Sequence, residues 1–176
     1  MGLRSDWFNL RTYVAQLVNH SASVSGPSGA DIPVAVYLKN IGTQAWRVNG
    51  DERLAIPSGR DSRFAGAEWI SPTKPVRVTK NVSRPPATTI GPGEVAEFRF
   101  VLHTRGVTPG TYTESSRPLV EGLTWMNDPG ITFTVAVSPS WVEDAGNMLT
   151  NGSFENNWSA WQGYGPIKPG DGGASG

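Results

Sequence analysis

The sequence predicts an all-β domain, an antiparallel sandwich of about seven to eight strands followed by a flexible C-terminal tail. Three observations support this prediction. Short segments alternate apolar and polar residues at the two-residue period of a half-buried strand. Glycine and proline turn signals separate these segments, with 21 Gly and 14 Pro in 176 residues. No segment has the periodicity of an amphipathic helix of useful length.

The first part of the chain contains two predicted strands. Residues 10–18 form the first, and the polar, turn-forming stretch 19–29 ends it. Residues 32–39 form the second, followed by the turn 40–43 and then Trp46. Alternate positions of the second strand are apolar and share one face: Val34, Val36 and Leu38.

In the middle of the chain the alternation weakens. Residues 52–56 and 75–78 are short strand candidates on either side of a long segment, residues 59–75, called the connection. A long connection inside a compact domain is either functional or packed by its own side chains. Because this one contains Phe64 and Trp69, the sequence favours packing by its own aromatic residues.

The last three predicted strands have the clearest patterns. Residues 95–103 follow the glycine-proline turn 90–94, and residues 111–120 follow Pro109-Gly110. Residues 131–137 follow a further turn and end the domain near Ser138. Apolar residues share one face of two of these strands: Ala96, Phe98, Phe100 and Leu102, then Ile131, Phe133, Val135 and Val137.

Composition excludes several classes of protein. Lys plus Arg equals Asp plus Glu at 15 each, without a basic run, so we expect no nucleic-acid partner. No apolar stretch approaches the roughly 18 residues of a membrane-spanning helix, so we expect no membrane insertion. The chain has no cysteine, which excludes disulfides and thiolate chemistry.

The sequence divides into three regions. Residues 1–9 form an N-terminal flank without the apolar run of a signal peptide, and residues 10–138 form the sandwich. Residues 139–176 form a linker and the truncated start of a second domain, with much of it disordered, because so few residues cannot build an independent core. We expect the chain to be a fragment of a larger protein.

Five motifs follow one another in a fixed order: LKNIGTQAWR (38–47), GRDSRFAGAEW (59–69), GPGEVAEFRF (91–100), PGTYTES (109–115) and EGLTWMNDPGITFTV (121–135). Together they resemble the immunoglobulin-like domain of the "next to BRCA1" type, also called the four-tryptophan domain, over about residues 12–137. This resemblance implies an immunoglobulin-like sandwich.

The resemblance also assigns residues and a setting. It implies that Trp46, Trp69 and Trp125 belong to the framework, whereas a fourth framework tryptophan is not evident near Ser116 and Arg117. This departure weakens transfer of the adaptor role of the eukaryotic relatives. The bacterial versions occur in extracellular and cell-wall proteins, so the resemblance implies an extracellular or cell-surface location.

The tail resembles a different family. NMLTNGSFENN followed by two tryptophans is similar to the first strand of a galactose-binding-like jelly roll, the fold of several carbohydrate-binding modules. In that family the opening segment contributes to a structural calcium site. The resemblance therefore nominates Asn151 and Glu155 as calcium ligands, and no other cofactor or metal site is expected.

Titratable residues do not form a catalytic pattern in the sequence. His20 and His103 have no zinc-site spacing and are expected to be isolated surface histidines. Asp61 is expected to form an ion pair or cap with Arg60 and Arg63. Five acids lie near loops without a glycosidase pair being recognisable. These acids are Asp61, Glu68, Glu114, Glu121 and Asp128.

Aromatic residues are ambiguous, because planar rings stack on sugars but also dominate sandwich cores. Core positions are favoured for Trp46 and Trp125. Trp69 is as consistent with ligand binding as with the core, and Tyr37 and Tyr112 are candidates for an exposed aromatic face. No catalytic residue is nominated.

Three functions remain open. The leading hypothesis is a non-catalytic binding or spacer module that assists attachment to cell-wall glycan or extracellular polysaccharide. The alternative is a protein–protein interaction domain that uses a sheet face or the connection. A fragment of a glycoside hydrolase is the third.

Overall fold

The structure, a computed structural model, describes residues 12–140. The chain divides into two units, Met1–Trp141 and Val142–Gly176, and the described residues lie in the first. They form twelve strands, seven of four or more residues and five of two. No helix in this part of the chain is long and apolar enough to cross a bilayer. The strands are β1 (Ala15–His20), β2 (Ser23–Pro27), β3 (Asp31–Asn40), β4 (Trp46–Arg47), β5 (Glu52–Ala55), β6 (Val76–Arg77), β7 (Lys80–Asn81), β8 (Thr89–Ile90), β9 (Val95–His103), β10 (Gly110–Val120), β11 (Thr124–Trp125) and β12 (Ile131–Ser138).

The strands form an immunoglobulin-like sandwich. One sheet has the order β1-β3-β9-β7, and the larger sheet has the order β2-β12-β10-β5-β6, with β11 paired to β10. The first order matches the four-stranded sheet of immunoglobulin domains, and β12-β10-β5 matches the opposing one. All these pairings are antiparallel except that of β2 with β12. β4 and β8 form a separate two-stranded ribbon.

The core lies between the two sheets and is built by strand alternation. Every second residue of β3, β9 and β12 is buried, which confirms the inward faces predicted from the sequence. Burying a large apolar side chain in this way contributes about 1.5–3 kcal/mol. The largest fully buried apolar side chains are Trp46, Phe64, Phe98 and Phe133.

A buried asparagine fixes the turn after β3. The side-chain amide of Asn40 donates to the carbonyl oxygens of Gln44 at 2.8 Å and Ile90 at 3.1 Å. Its Oδ1 accepts the N–H of Gly42 at 3.0 Å. A Cβ at Gly42 would collide with the backbone just before β1, so this position requires glycine. The spacing of Asn40, Gly42 and the fully buried Trp46 in the first motif therefore has a structural cause.

The longer strands match the sequence prediction, and the short candidates 52–56 and 75–78 contain β5 and β6. The predicted strand 95–103 has those bounds in the structure, and 111–120 and 131–137 are each one residue longer. The first strand begins at Ala15 rather than at residue 10, which lies outside the described residues. The other two-residue strands, β4, β7, β8 and β11, have too few positions for alternation to be recognised.

One strand was missed in a segment expected to be a turn. Residues 19–29 contain β2. After β1 the chain crosses from the first sheet to the larger one, where β2 pairs in parallel with β12. Its serines and glycine lack the β-branched and aromatic residues that favour strands. Pairing with β12 overrides this weak local preference, since Val24 also packs against the core.

Candidate functional site

The connection lies where short strands leave two sheet edges unpaired. β7 pairs with β9 only at Ala96 and Glu97, so the later half of β9 has a free edge. β5 pairs with β10 only from Arg117 onward, which leaves the earlier half of β10 free on that side. Unpaired edges invite association with other chains unless they are covered.

Two aromatic residues anchor the connection to this free edge. Trp69 is 6% exposed, and its indole N–H donates to the carbonyl oxygen of Val101 at 2.8 Å. Phe64 is fully buried, and its carbonyl accepts the N–H of His103 at 3.0 Å. Trp69 also packs edge-on against Phe100. The connection is thus packed by its own aromatics as expected, but they join the common core rather than a local cluster.

A buried carboxylate holds the start of the connection. Glu114 is 2% exposed on the inner face of β10, and its two oxygens accept from Arg60 at 2.7 Å and Ser62 at 2.9 Å. The expected ion pair of Asp61 with Arg60 and Arg63 is wrong. Arg60 turns to Glu114 instead because a buried carboxylate needs a partner, and Arg63 lies over a tyrosine ring of β10.

A three-residue clasp holds the middle of the connection. His103 Nδ1 lies 2.8 Å from Asp31 on β3, and its Nε2 bonds to Glu68 of the connection. The hydrogen bond with Glu68, and then that with Asp31, raise the pKa of His103, and the bond with His103 lowers the pKa of Glu68. A Cβ at Gly66 would collide with the imidazole, so only glycine leaves room for this arrangement.

The two histidines are therefore not isolated, contrary to the sequence prediction. His103 bridges two carboxylates, whereas His20 Nε2 lies 2.8 Å from the carbonyl oxygen of Thr132. The His20 ring also meets Phe133 edge-on. Both histidines connect segments far apart in the sequence, which spacing alone does not indicate.

The aromatic residues nominated as ligand contacts do not form a common surface. Trp69 is buried and bonded to the backbone, so its ring is not available for stacking. Tyr37 lies on β3 and donates to Glu97 at 3.1 Å. Tyr112 lies on β10 in the other sheet, packs against the core and donates to the Thr108 carbonyl at 2.7 Å. The expected exposed aromatic face of Tyr37 and Tyr112 is therefore wrong.

Trp125 was expected in the core, but it is 42% exposed. It lies on β11 opposite Leu119 of β10, which is 7% exposed and does not belong to the core cluster between the sheets. The guanidinium of Arg117 lies 5.6 Å from the centre of its ring and is held by the Met126 carbonyl at 2.8 and 2.5 Å. The hairpin register places Trp125 on the outer face because only alternate residues of a strand point inward.

Register places Trp125 in a row across four strands. Trp125 is opposite Leu119, Leu119 is also opposite Arg53, and Arg53 is opposite Arg77. Arg117 lies two residues before Leu119 and so shares its face. These five residues, Arg53, Arg77, Arg117, Leu119 and Trp125, are called the Trp125 face.

An open hollow lies beside Trp125. It has a volume of about 240 Å³ and is lined by residues 119–125, including Leu123, which is 56% exposed. Pockets for small ligands usually enclose about 300–1,000 Å³. The hollow is smaller and open, so its size suits one side chain of a partner rather than an enclosed small molecule.

The basic residues around the Trp125 face differ in how they are neutralised. Glu121 bonds to Arg53 at 2.9 Å and to Lys74 at 2.8 Å, and the bond with Lys74, followed by the charges of Arg53, Lys74 and Arg77, lowers its pKa. Arg77 donates to two backbone carbonyls, and Arg117 donates to one. Within residues 12–140, no carboxylate forms an ion pair with Arg77 or Arg117.

The described acids lie in separate interactions. Glu114 and Glu121 pair with different cations, Glu68 bonds to His103, and Asp128 accepts the N–H of Gly130. Among residues 12–140, no group of three or more histidines or acids is arranged to hold a metal ion. The two calcium candidates, Asn151 and Glu155, lie outside the described residues.

Comparison with known proteins gives little further information. No protein-family model and no curated protein matches the chain. A chain in a crystal structure of a CaDoc0917–CaCohA2 complex is similar to 71% of this chain over its whole length, at 14% identity and a TM-score of 0.31. That likeness is too weak to support an argument about partner or activity.

The Trp125 face was missed by sequence reasoning, although one signal was present. Alternation along β10 places Arg117 on the same face as three polar residues, so its outward direction was predictable. Arg53 and Arg77 lie in strands of four and two residues, and their register with β10 has no sequence signature. The three polar residues are Thr111, Thr113 and Ser115.

Proposed function

We propose that this domain is a non-catalytic binding module that holds a protein partner on the Trp125 face. One observation carries the proposal: among residues 12–140, Trp125 is the one Phe, Tyr or Trp residue that is exposed. It lies beside Arg117, and tryptophan and arginine are enriched among the residues that dominate binding energy at protein interfaces.

Three features favour a protein partner over a glycan. The nominated sugar-stacking residues Trp69 and Tyr112 are packed into the core or against it. One ring face of Trp125 is approached by Arg117, which reduces the area open to a sugar. The hollow beside it is open and of side-chain size. Attachment to cell-wall polysaccharide, the leading sequence hypothesis, therefore becomes the competing outcome of the test.

The proposal also covers the absence of catalytic activity and the location of the parent protein. The separate engagement of the acids argues against a glycosidase pair, which needs two carboxyl groups facing each other across about 5–10 Å. An extracellular or cell-surface parent protein and membership of the four-tryptophan domains rest on the sequence resemblance. The connection serves as structure, since its start and its middle are tied to the sandwich.

Selection of binders from a random peptide library tests the proposal. The wild-type domain is expected to enrich peptides that W125A does not retain, whereas T113A, on the same outer face, retains them. A cooperative thermal unfolding transition of each variant, at a temperature close to that of the wild type, shows that the fold is intact. Retention on insoluble polysaccharide that depends on Trp125, without peptide binding, would overturn the protein partner in favour of a glycan. Equal binding by wild type and W125A would exclude this face.

A further inference from the structure

The Trp125 face has a local excess of positive charge on a chain that has none overall. The whole chain has 15 basic and 15 acidic residues. On this face and its rim, Glu121 pairs with Arg53 and Lys74, and Asp51 pairs with Arg53, whereas Arg77 and Arg117 have no carboxylate in an ion pair within the described residues. The excess therefore comes from two guanidinium groups.

Both guanidinium groups keep donors for a ligand. Arg77 uses Nη1 for the carbonyls of Asn49 and Gly50, each at 3.3 Å, and its Nε and Nη2 have no acceptor among the described residues. Arg117 uses Nε and Nη2 for Met126, which leaves Nη1. A guanidinium with free N–H groups pairs with a carboxylate through charge-assisted hydrogen bonds.

The apolar and basic parts of the face have a defined spacing. Trp125 and Arg77 are separated by three strand intervals in one register row. At about 4.8 Å for each interval, this distance is about 14 Å. An extended peptide rises about 3.3 Å per residue, so it covers this distance in about four residues.

We infer that the Trp125 face binds an extended acidic peptide, with an apolar side chain on Trp125 and carboxylates about four residues away on Arg77. This inference rests on the proposed function and names the class of its partner. The positive charge of the face favours an acidic segment. The row across four strands sets the distance between the apolar side chain and the carboxylates of the peptide. Arg117 supplies a second contact for a carboxylate close to the apolar side chain.

Glu121 limits the charge of this site. Its carboxylate occupies Arg53 and Lys74, so these cations are not available to a ligand. Replacing Glu121 by glutamine removes that negative charge, which frees Lys74 and leaves Arg53 with Asp51 alone, at 3.6 Å. We therefore expect E121Q to bind an acidic peptide more tightly than wild type. Removal of a residue that contacts the peptide would instead weaken binding.

The test uses a short fluorescent peptide with a leucine and, about four residues later, two aspartates, and a second peptide with asparagines in their place. Fluorescence anisotropy is expected to show binding of the aspartate peptide, weakened at least about fivefold by R77Q and by raised salt, and tightened by E121Q. R99Q is the matched control, because Arg99 is exposed on the other sheet, and it is expected to bind like wild type.

The outcomes separate this inference from the proposed function. Equal binding of both peptides, lost in W125A but not in R77Q, overturns the acidic partner and leaves the protein-binding face intact. A second outcome is that neither peptide binds, whereas an acidic polysaccharide such as polygalacturonate binds in an Arg77-dependent manner. This result would overturn the inference that the partner is a peptide. Binding of the aspartate peptide that R77Q and R99Q weaken equally reflects net charge alone and also overturns it.

Discussion

Two tryptophans in similar sequence settings, Trp69 in the connection and Trp125 in the β10–β11 hairpin, have opposite environments. Trp69 is 6% exposed and bonds to a free carbonyl of β9, whereas Trp125 is 42% exposed on the outer face of a paired ladder. The difference in exposure depends on strand pairing. The unpaired edge of β9 has a free carbonyl oxygen for the Trp69 indole and space for its ring, whereas the paired strands β10 and β11 have neither for Trp125. The role of a tryptophan here follows from strand pairing rather than from its local sequence.

The largest expected effect is at Trp69. W69A should lower the free energy of unfolding by about 3–5 kcal/mol, because it empties a core position and leaves the β9 edge uncovered. W69F should cost less, since it keeps most of the packing and loses the bond to Val101. Urea denaturation measures both. A loss below about 1 kcal/mol for W69A would mean that the connection is not part of the core.

The next effect concerns a buried carboxylate on the connection side and a partly exposed one beside the Trp125 face. E114A should lower the free energy of unfolding by about 2–3 kcal/mol, since it removes charge-assisted bonds to Arg60 and Ser62 in a buried site. E121A, in a more solvent-accessible ion pair, should cost less than about 1 kcal/mol. Chemical denaturation of both variants measures the two free energies of unfolding. Equal losses would show that burial of the carboxylate does not determine its contribution to stability.

A smaller effect should depend on pH. The pKa of His103 is raised above its ordinary value of 6.5 by Glu68 and Asp31, so its stabilising contribution is complete below that pH. It is lost as the pH rises through the folded-state pKa. The contribution of Glu68, whose pKa is lowered from 4.5, is lost as the pH falls through its folded-state value. The stability difference between wild type and H103Q should therefore be largest between about pH 4.5 and 6.5.

Unfolding curves of wild type and H103Q from pH 4 to 9 measure this window. The difference should stay below about 1 kcal/mol, because the carboxylates of the clasp are largely exposed. The same difference measured in a D128N background should be unchanged, because Asp128 bonds to Gly130 and not to the clasp. A constant difference across the whole range would show that His103 acts through packing alone.

The smallest expected effect on stability is at Trp125. W125A should change the free energy of unfolding by less than about 1 kcal/mol, because the ring is partly exposed and fills no core position. T113A, at a fully outward position of the same sheet, should change it by a similar or smaller amount. Thermal unfolding measures both. A loss for W125A as large as for W69A would restore Trp125 to the framework role expected from the sequence.

The sequence predicted the fold where alternation was long enough to be seen. β3, β9 and β12 each have eight or more residues, and their inward faces were assigned correctly. β2 was missed because serines and glycine carry no strand signal, although β12 provides a ladder for it. Trp125 was misplaced because register across β11, β10 and β5 decides its direction, and no local pattern encodes that register.

The candidate site was less accessible to sequence reasoning than the fold. Arg53, Arg77 and Trp125 come from three separate segments and become neighbours only through strand pairing. The clasp of His103 likewise joins β3, β9 and the connection. Side chains that meet through long-range pairing have no fixed spacing in the chain, so motif searches do not find them.

The parallel pairing of β2 with β12 has a mechanical consequence. Ser23 is opposite Thr134 and Pro27 is opposite Ser138, so the two strands run side by side in the same direction for five residues. Tension on the chain before β2 and after β12 pulls on opposite ends of this ladder. The load is then shared by all its hydrogen bonds in shear instead of opening them one at a time.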